Sequence, residues 1–271
     1  MDFSDIAARG LVLLGCGRMG SAMLDGWLKG GLPADSVWVK DPNPSDWLEG
    51  QGVHINADLP EKPAIVVIAV KPQMMGEALP SITGLDDGST LFISVAAGTL
   101  LERFQEVLGV GAPIVRAMPN TPAAIGQGIT ALIGSETVTP AQLDQAEGLL
   151  RAVGETVRLD SESQMDAVTG VSGSGPAYVF LMIEAMAAAG VAQGLAPELA
   201  MRLAKATMAG AGQLALPEDA DPGQLRVNVT SPAGTTAAAL DVLMNDLDGL
   251  PPLMAKAVAA AAARSKELSR G

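Results

Sequence analysis

A chain of 271 residues can bury a sizeable core and suits two modest domains. With 30 acidic against 17 basic side chains and a net charge of −13, it has no basic patch for nucleic acid, and no uninterrupted apolar run reaches the roughly 18 residues that span a bilayer. One cysteine excludes a disulfide framework and a thiolate metal site, and the start MDFSDIAARG lacks a secretion pattern, so a reducing cytoplasm is the expected compartment.

The first predicted strand, Leu11 to Leu14, runs into Gly15-Cys16-Gly17-Arg18-Met19-Gly20, a G-x-G-x-x-G spacing that leads into a helix over Met19 to Leu28. In a dinucleotide-binding unit the first glycine permits the sharp turn. The second lets the backbone approach a pyrophosphate, the third lets helix and sheet pack closely, and the free N–H groups of the helix start meet the phosphate charge. A tight strand-to-helix turn without a ligand is the plainer alternative. Cys16 fits that loop as a small residue rather than as a reactive thiol. The second strand, Ser36 to Val39, ends near Asp41, about twenty residues beyond the turn. A carboxylate there either accepts from the ribose 2′-hydroxyl of NAD or simply forms the turn before Pro42.

Val53 to Asn56 forms a short edge or connecting strand carrying His54, the one histidine, which is too isolated for a His-based zinc set or a general base. Ala64 to Val70 is apolar throughout, as a strand covered on both faces must be. It delivers Lys71 and Pro72 to the carboxyl edge, where ligands bind in such sheets; Lys71 either approaches a cofactor or caps the strand. Leu91 to Val95 opens into Ala96-Ala97-Gly98-Thr99, a loop small enough to admit a nicotinamide ring or its ribose, followed by a helix over Leu100 to Leu108. Strands Ile114 to Met118 and Ile129 to Ile133 flank a turn stiffened by Pro119 and Pro122. Thr139-Pro140 opens a helix across Ala141 to Val153, and Val157 to Leu159 closes the sheet. This order predicts an α/β, Rossmann-type doubly wound parallel sheet over residues 8–160.

Residues 161–271 read as a second, all-helical domain, rich in Ala, Met and Leu, whose helices press together through small residues and offer a subunit interface. Ser172 to Phe180, SGSGPAYVF, forms a close-packed turn or interrupted helix; Pro176 and Pro197 start helices. The acidic loop Pro217 to Gln224 holds Glu218, Asp219 and Asp221, which either face a cationic ligand or solvate a turn. In VTSPAGTTAAAL, Thr230, Ser231, Thr235 and Thr236 put four hydroxyls at a helix start. Free N–H groups there favour a carboxylate; a multiply capped helix is the alternative, and it would use only one of the hydroxyls.

The segments GCGRMG, AVKPQ (from Ala69), SVAAG (from Ser94), RAMPNTPA (from Arg116), VSGSGPAYVF (from Val171) and VTSPAGTT (from Val229) together resemble the pyrroline-5-carboxylate reductases over nearly the whole chain, the last two most specifically. The resemblance implies an N-terminal Rossmann domain, a C-terminal helical dimerisation domain, and reduction of L-1-pyrroline-5-carboxylate to L-proline by NADPH or NADH. It further implies a homodimer through the C-terminal helices, in some members a decamer of five dimers. Carried onto this chain, Gly15, Cys16, Gly17, Arg18, Met19 and Gly20 cradle the pyrophosphate. Ala69, Val70, Lys71 and Pro72 line the dinucleotide with Ala96, Ala97 and Gly98, and Asn228 reaches the cofactor. Asp219, Glu162, Thr235 and Thr236 face the substrate, with Thr236 on the ring nitrogen. Ala233 stands where relatives carry a glycine, a change compatible with a negative φ. Asp41 replaces the small hydroxyl residues that suit a 2′-phosphate, which makes NADH a serious alternative to NADPH. Two rival readings are a β-hydroxyacid-type dehydrogenase, weakened by the absence of any lysine between Lys71 and Lys205, and a nucleotide-binding protein without catalysis.

Overall fold

The computed structural model describes residues 3–85, 88–217 and 219–269, so Glu218 of the acidic loop and the last two residues of the charged tail lie outside it. The strands are β1 (Leu11–Leu14), β2 (Val37–Lys40), β3 (His54–Ile55), β4 (Ile65–Ile68), β5 (Leu91–Ser94), β6 (Ile114–Met118), β7 (Gly128–Gly134) and β8 (Gly154–Arg158). They form one sheet in the order β3-β2-β1-β4-β5-β6-β7-β8. The chain divides into two compact units, one running to Gly173 and resuming at Ala261, the other Ser174–Ala260.

In the first unit the sheet is held by two cores, as apolar runs without alternation require. Leu11, Leu13, Val37, Ile65, Val67 and Ile93 face one core together with Met23, Leu24 and Trp27 of α2 (Arg18–Lys29). Val12, Leu14, Val66, Ile68 and Phe92 face the other with Phe104 and Leu108. Each fully buried Leu, Ile or Val side chain stabilises by about 1.5–3 kcal/mol. Trp27 is buried completely and keeps its indole satisfied by donating to the Leu149 carbonyl at 2.9 Å.

One strand pair departs from the expected parallel sheet: β7 runs antiparallel to β6, with Met118 opposite Ala131. The connection, Pro119–Gln127, is too short for a parallel crossover, which needs about a dozen residues or more. Short helices that went unforeseen among the described residues of this unit include α1 (Ser4–Arg9), α3 (Asp46–Glu49) and α4 (Met75–Ala78), the last between 3₁₀ turns at Pro72–Met74 and Leu79–Leu85. The others are α5 (Leu101–Leu108), α6 (Pro140–Leu150), closed at its start by a Thr139–Gln142 capping box, and α7 (Met165–Val168). His54 is exposed, stacks on Trp38 with ring centroids 4.5 Å apart, and sets Nε2 2.9 Å from the Asp35 carbonyl, a surface arrangement.

After α7 the chain makes a π-helical turn, Thr169–Gly173, an interruption held from outside by Asn120, whose amide donates to the Ser172 carbonyl at 3.2 Å. The second unit then comprises α8 (Gly175–Ala192), α9 (Pro197–Ala215), α10 (Pro222–Asn228), α11 (Thr235–Leu243) and most of α12 (Leu250–Leu268). Because α10 starts at Pro222, with Asp221 accepting from Gly223 N–H at 2.9 Å, the acidic loop is shorter than expected. Helices α8 and α9 meet through Ala187, Ala200 and Ala204, the only buried hydrophobic cluster described in this unit. Phe180, Leu181, Leu203, Val242 and Leu247 stay exposed within one chain. By length and composition the helical run Glu162–Ala192 would also suffice to cross a membrane.

Ala233 does not have the negative φ anticipated for it: it sits at φ 57, in the left-handed region. A Cβ there costs roughly 1–2 kcal/mol. Glycine would remove that cost but adds about 0.4–1 kcal/mol of unfolded-chain entropy. Ala233→Gly should therefore stabilise the protein by about 0.5–1 kcal/mol. Thermal melts would detect this as a rise in Tm, and a lowered Tm would show that the turn is not strained.

Candidate functional site

The glycine turn follows β1 at the point where the strand order reverses, between β1 and β4, the place where open α/β sheets bind ligands. Gly15 has φ 89, and a Cβ on it would lie 2.8 Å from Val70 and 3.0 Å from the Ala69 carbonyl. On Gly20 a Cβ would collide with the Gly15 carbonyl, so α2 packs against the turn with no room to spare. Gly17 is different: a Cβ there would meet nothing within 4 Å. It is the N-cap of α2, and no side chain caps the helix, so its first N–H groups face open space with the positive end of the helix dipole. The three glycines thus divide into turn, open approach and close packing, the combination that a pyrophosphate needs.

Asp41 does form the turn before Pro42, one of its two readings, and it also holds the glycine turn, which the sequence did not announce. Its Oδ2 accepts from the Cys16 N–H at 2.7 Å and its Oδ1 from the Asn43 N–H at 2.8 Å. Asn56, at φ 53, brackets its backbone, accepting from the Asp41 N–H and donating to the Asp41 carbonyl. Cys16, Gly17, Arg18, Asp41, Asn43 and Ser45 are among the residues lining a cleft of about 780 Å³ beside the turn. Arg18 therefore brings a positive charge to the cleft that holds the Asp41 carboxylate. Asn43 and Ser45, not singled out from the sequence, add hydrogen-bonding groups; their signal was their place just after β2.

Burial, and after it the Asp41 charge, push the Cys16 thiol up to about 11 from 9.0. Between these values the unfolded thiol ionises while the folded one keeps its proton. Stability should then fall as pH rises from about 9 to about 11, and Cys16→Ala should flatten the decline. Melting curves across that range test this, and an equal decline in the variant would clear Cys16 of the effect.

A second cleft, of about 430 Å³, gathers Pro72, Gly98, Thr99, Leu100, Arg103 and Leu268 at the carboxyl edge of the sheet. Gly98 has φ 72, and a Cβ on it would lie 3.3 Å from that of Leu268. Ala96 is buried, while Lys71 is exposed and caps a turn through its carbonyl, which accepts from Met74 N–H at 2.9 Å. Glu162, which the resemblance places at the substrate, has its Oε1 engaged within the chain, accepting from Arg116 at 2.7 Å and from the Leu101 N–H at 2.9 Å. Arg116 is 2% exposed, and a lone arginine inside the apolar strand IVRAM was the signal that could have revealed it.

In the second unit, α11 starts at Thr235, and its N-cap, Gly234, supplies no side-chain cap. Thr230 is spent internally, donating to the Arg226 carbonyl. Thr235 is exposed, Thr236 half-buried, and neither hydroxyl has an intrachain partner among the described residues. Of the two readings of the hydroxyl cluster, the multiply capped helix is thus not what forms. Asn228 ends α10, its Oδ1 accepting from Gln224, and Asp219 is exposed in the turn before that helix.

Two known families match the chain: one described as "NADP oxidoreductase coenzyme F420-dependent" over residues 10–98, and one described as "Pyrroline-5-carboxylate reductase dimerisation" over residues 162–268. The chain is 39% identical over 265 residues to the pyrroline-5-carboxylate reductase of Pseudomonas aeruginosa, covering 96% of each chain. To that of Pisum sativum it is 37% identical, again over 96% of each. The solved pyrroline-5-carboxylate reductase of Coxiella burnetii superposes with a TM-score of 0.89 at 35% identity, covering 96% of this chain and 98% of that one. The pyrroline carboxylate reductase of Plasmodium falciparum, solved with NADP bound, gives 0.83 at 30% identity over the same shares. A cradle at the strand-order reversal, an uncapped helix start with free hydroxyls, and identity sustained along nearly the full length agree: the chain belongs to the pyrroline-5-carboxylate reductase family.

Proposed function

We propose that the chain reduces L-1-pyrroline-5-carboxylate to L-proline, with NADPH as donor and NADH as the alternative, in the cytoplasm. The observation that carries this reading is the start of α11, an uncapped helix N-terminus bearing two hydroxyls without a partner among the described residues. Its N–H groups and dipole suit the substrate carboxylate. Thr236 holds the ring nitrogen by a hydrogen bond, with Thr235 and Asp219 as further substrate contacts. When bound, the reduced nicotinamide supplies a hydride to the C=N carbon. A protonated imine is the better acceptor, so the chain needs no histidine or lysine acid, and its contribution is alignment.

The first unit holds the dinucleotide: Gly15 to Gly20 at the pyrophosphate, and Ala69 to Pro72 and Ala96 to Gly98 along the nicotinamide half; the family resemblance adds Asn228 as a cofactor contact. A second copy of the chain covers the exposed apolar faces of α8, α9 and α11 as a homodimer, and a ring of five dimers is the larger assembly. Burial of α8 in that way accounts for its apolar surface without a membrane.

Asp41 sets the cofactor ratio in this reading. Its carboxylate disfavours a 2′-phosphate, and Arg18 in the same cleft offsets it. Asp41→Ser should raise the ratio of kcat/KM for NADPH over NADH by about tenfold, the factor that roughly 1.4 kcal/mol gives. Steady-state rates with each cofactor check it, and an unchanged ratio would remove Asp41 from the choice. The reductase reading itself is tested by assaying proline formation from pyrroline-5-carboxylate with NADPH and with NADH. Folded protein that forms no proline with either would defeat it.

A further inference from the structure

Arg116 is a charge set inside the sheet, on β6, opposite Ser94 of β5. Its partner Glu162 comes from the segment after β8, 46 residues away, and the same Oε1 that meets Nη1 at 2.7 Å also receives the Leu101 N–H at 2.9 Å. Leu101 opens α5, whose own N-cap, Leu100, has no side chain able to cap it. The cap is therefore supplied from outside, and its charge is neutralised by an arginine held in the sheet. Between β5 and α5 lies only Val95–Leu100, the loop that contains Ala96, Ala97 and Gly98. One end of this loop is fixed by the strand; the other is fixed by Glu162.

An ion pair with one partner buried and the other half-buried is weak evidence for stability, because well-packed apolar residues of similar volume often serve as well or better. What such residues could not do is cap α5. Resting on the reductase reading above, we propose that Arg116 and Glu162 are positioning residues for the Ala96–Gly98 loop, acting on cofactor binding through the start of α5, a role that for Glu162 takes the place of the substrate contact implied by the family resemblance.

The test is direct binding of NADPH, followed by its fluorescence without substrate, beside thermal melts and separate KM and kcat measurements. Arg116→Met/Glu162→Leu should keep a Tm near that of the wild type, while the Kd for NADPH and the KM for NADPH rise about tenfold and the KM for pyrroline-5-carboxylate stays within twofold. Glu162→Gln, which keeps an acceptor for the Leu101 N–H, should lose less than threefold, and that partial rescue is what a merely space-filling role would not produce. Should the double variant not fold, Glu162→Gln and Glu162→Ala decide: a weakening of NADPH binding in Ala and not in Gln supports the proposal. Folded variants that bind NADPH like the wild type would overturn it. A rise confined to the KM for pyrroline-5-carboxylate would overturn it too and make Glu162 a substrate contact. A wild-type chain that binds neither NADPH nor NADH would overturn the reductase reading and this one with it.

Discussion

Gly20→Ala is expected to abolish useful dinucleotide binding, raising the Kd for NADPH about a hundredfold or more, and to destabilise the protein by about 1–3 kcal/mol. The new Cβ would run into the Gly15 carbonyl, which is backbone and cannot step aside as a flexible side chain can. Nor can the turn shift as a body: Gly15 N–H is bonded to the Lys40 carbonyl at 2.8 Å and Cys16 N–H to Asp41. Either the turn opens or α2 lifts from the sheet, and both disperse the N–H groups proposed to meet the phosphates. Gly17→Ala is the control, since its Cβ enters open space and should leave the melt unchanged while still obstructing the ligand's approach. Fluorescence titration and circular dichroism melts measure the two effects. A Gly20→Ala protein that binds within threefold of the wild type would show that the cradle tolerates displacement.

Thr236→Ala should lower kcat with saturating substrates by about 10- to 100-fold, the cost of losing one hydrogen bond of roughly 1.5–3 kcal/mol to a charged group in the transition state. The fold should be untouched, because Thr236 lies in the first turn of α11, its hydroxyl bonds nothing among the described residues, and alanine is the better helix former. Thr236→Ser, which keeps the hydroxyl, should retain most of the activity. Unchanged turnover in the alanine variant would take Thr236 out of the mechanism.

What could be read from the sequence was what depends on neighbours along the chain. Leu11 to Leu14 followed by the glycine spacing announced both strand and turn, and Ile65–Ile68 announced burial on two faces, because these are short-range patterns of hydropathy and backbone freedom. Helix starts at Pro140, Pro197 and Thr235 were legible from proline and hydroxyl placement. Contacts distant in sequence were not. Asp41 could be placed near the cofactor by its offset, but nothing local says that it holds the Cys16 N–H, 25 residues back. Arg116 entered only as the first residue of RAMPNTPA and Glu162 as an expected substrate contact, and only folding brings the two together. The reversal at β7 is not carried by the strand's hydropathy, which has no direction; its signal was the short Pro119–Gln127 connection, which the expected parallel order overlooked. Ala233 shows the opposite limit: residue type argued for a negative φ, and the geometry of the turn overrode it.

The last turns of α12 belong with the sheet and not with the helical unit in which α12 begins. Ser265 donates to Asp166 of α7 at 2.7 Å, and Leu268 seats against Gly98. The dinucleotide module is thus discontinuous in the gene. A fragment cut after the π turn would leave that module without the seat for its Gly98 loop, so excising it as an autonomous piece calls for grafting Ala261–Leu268 back onto it, or for new termini made by circular permutation.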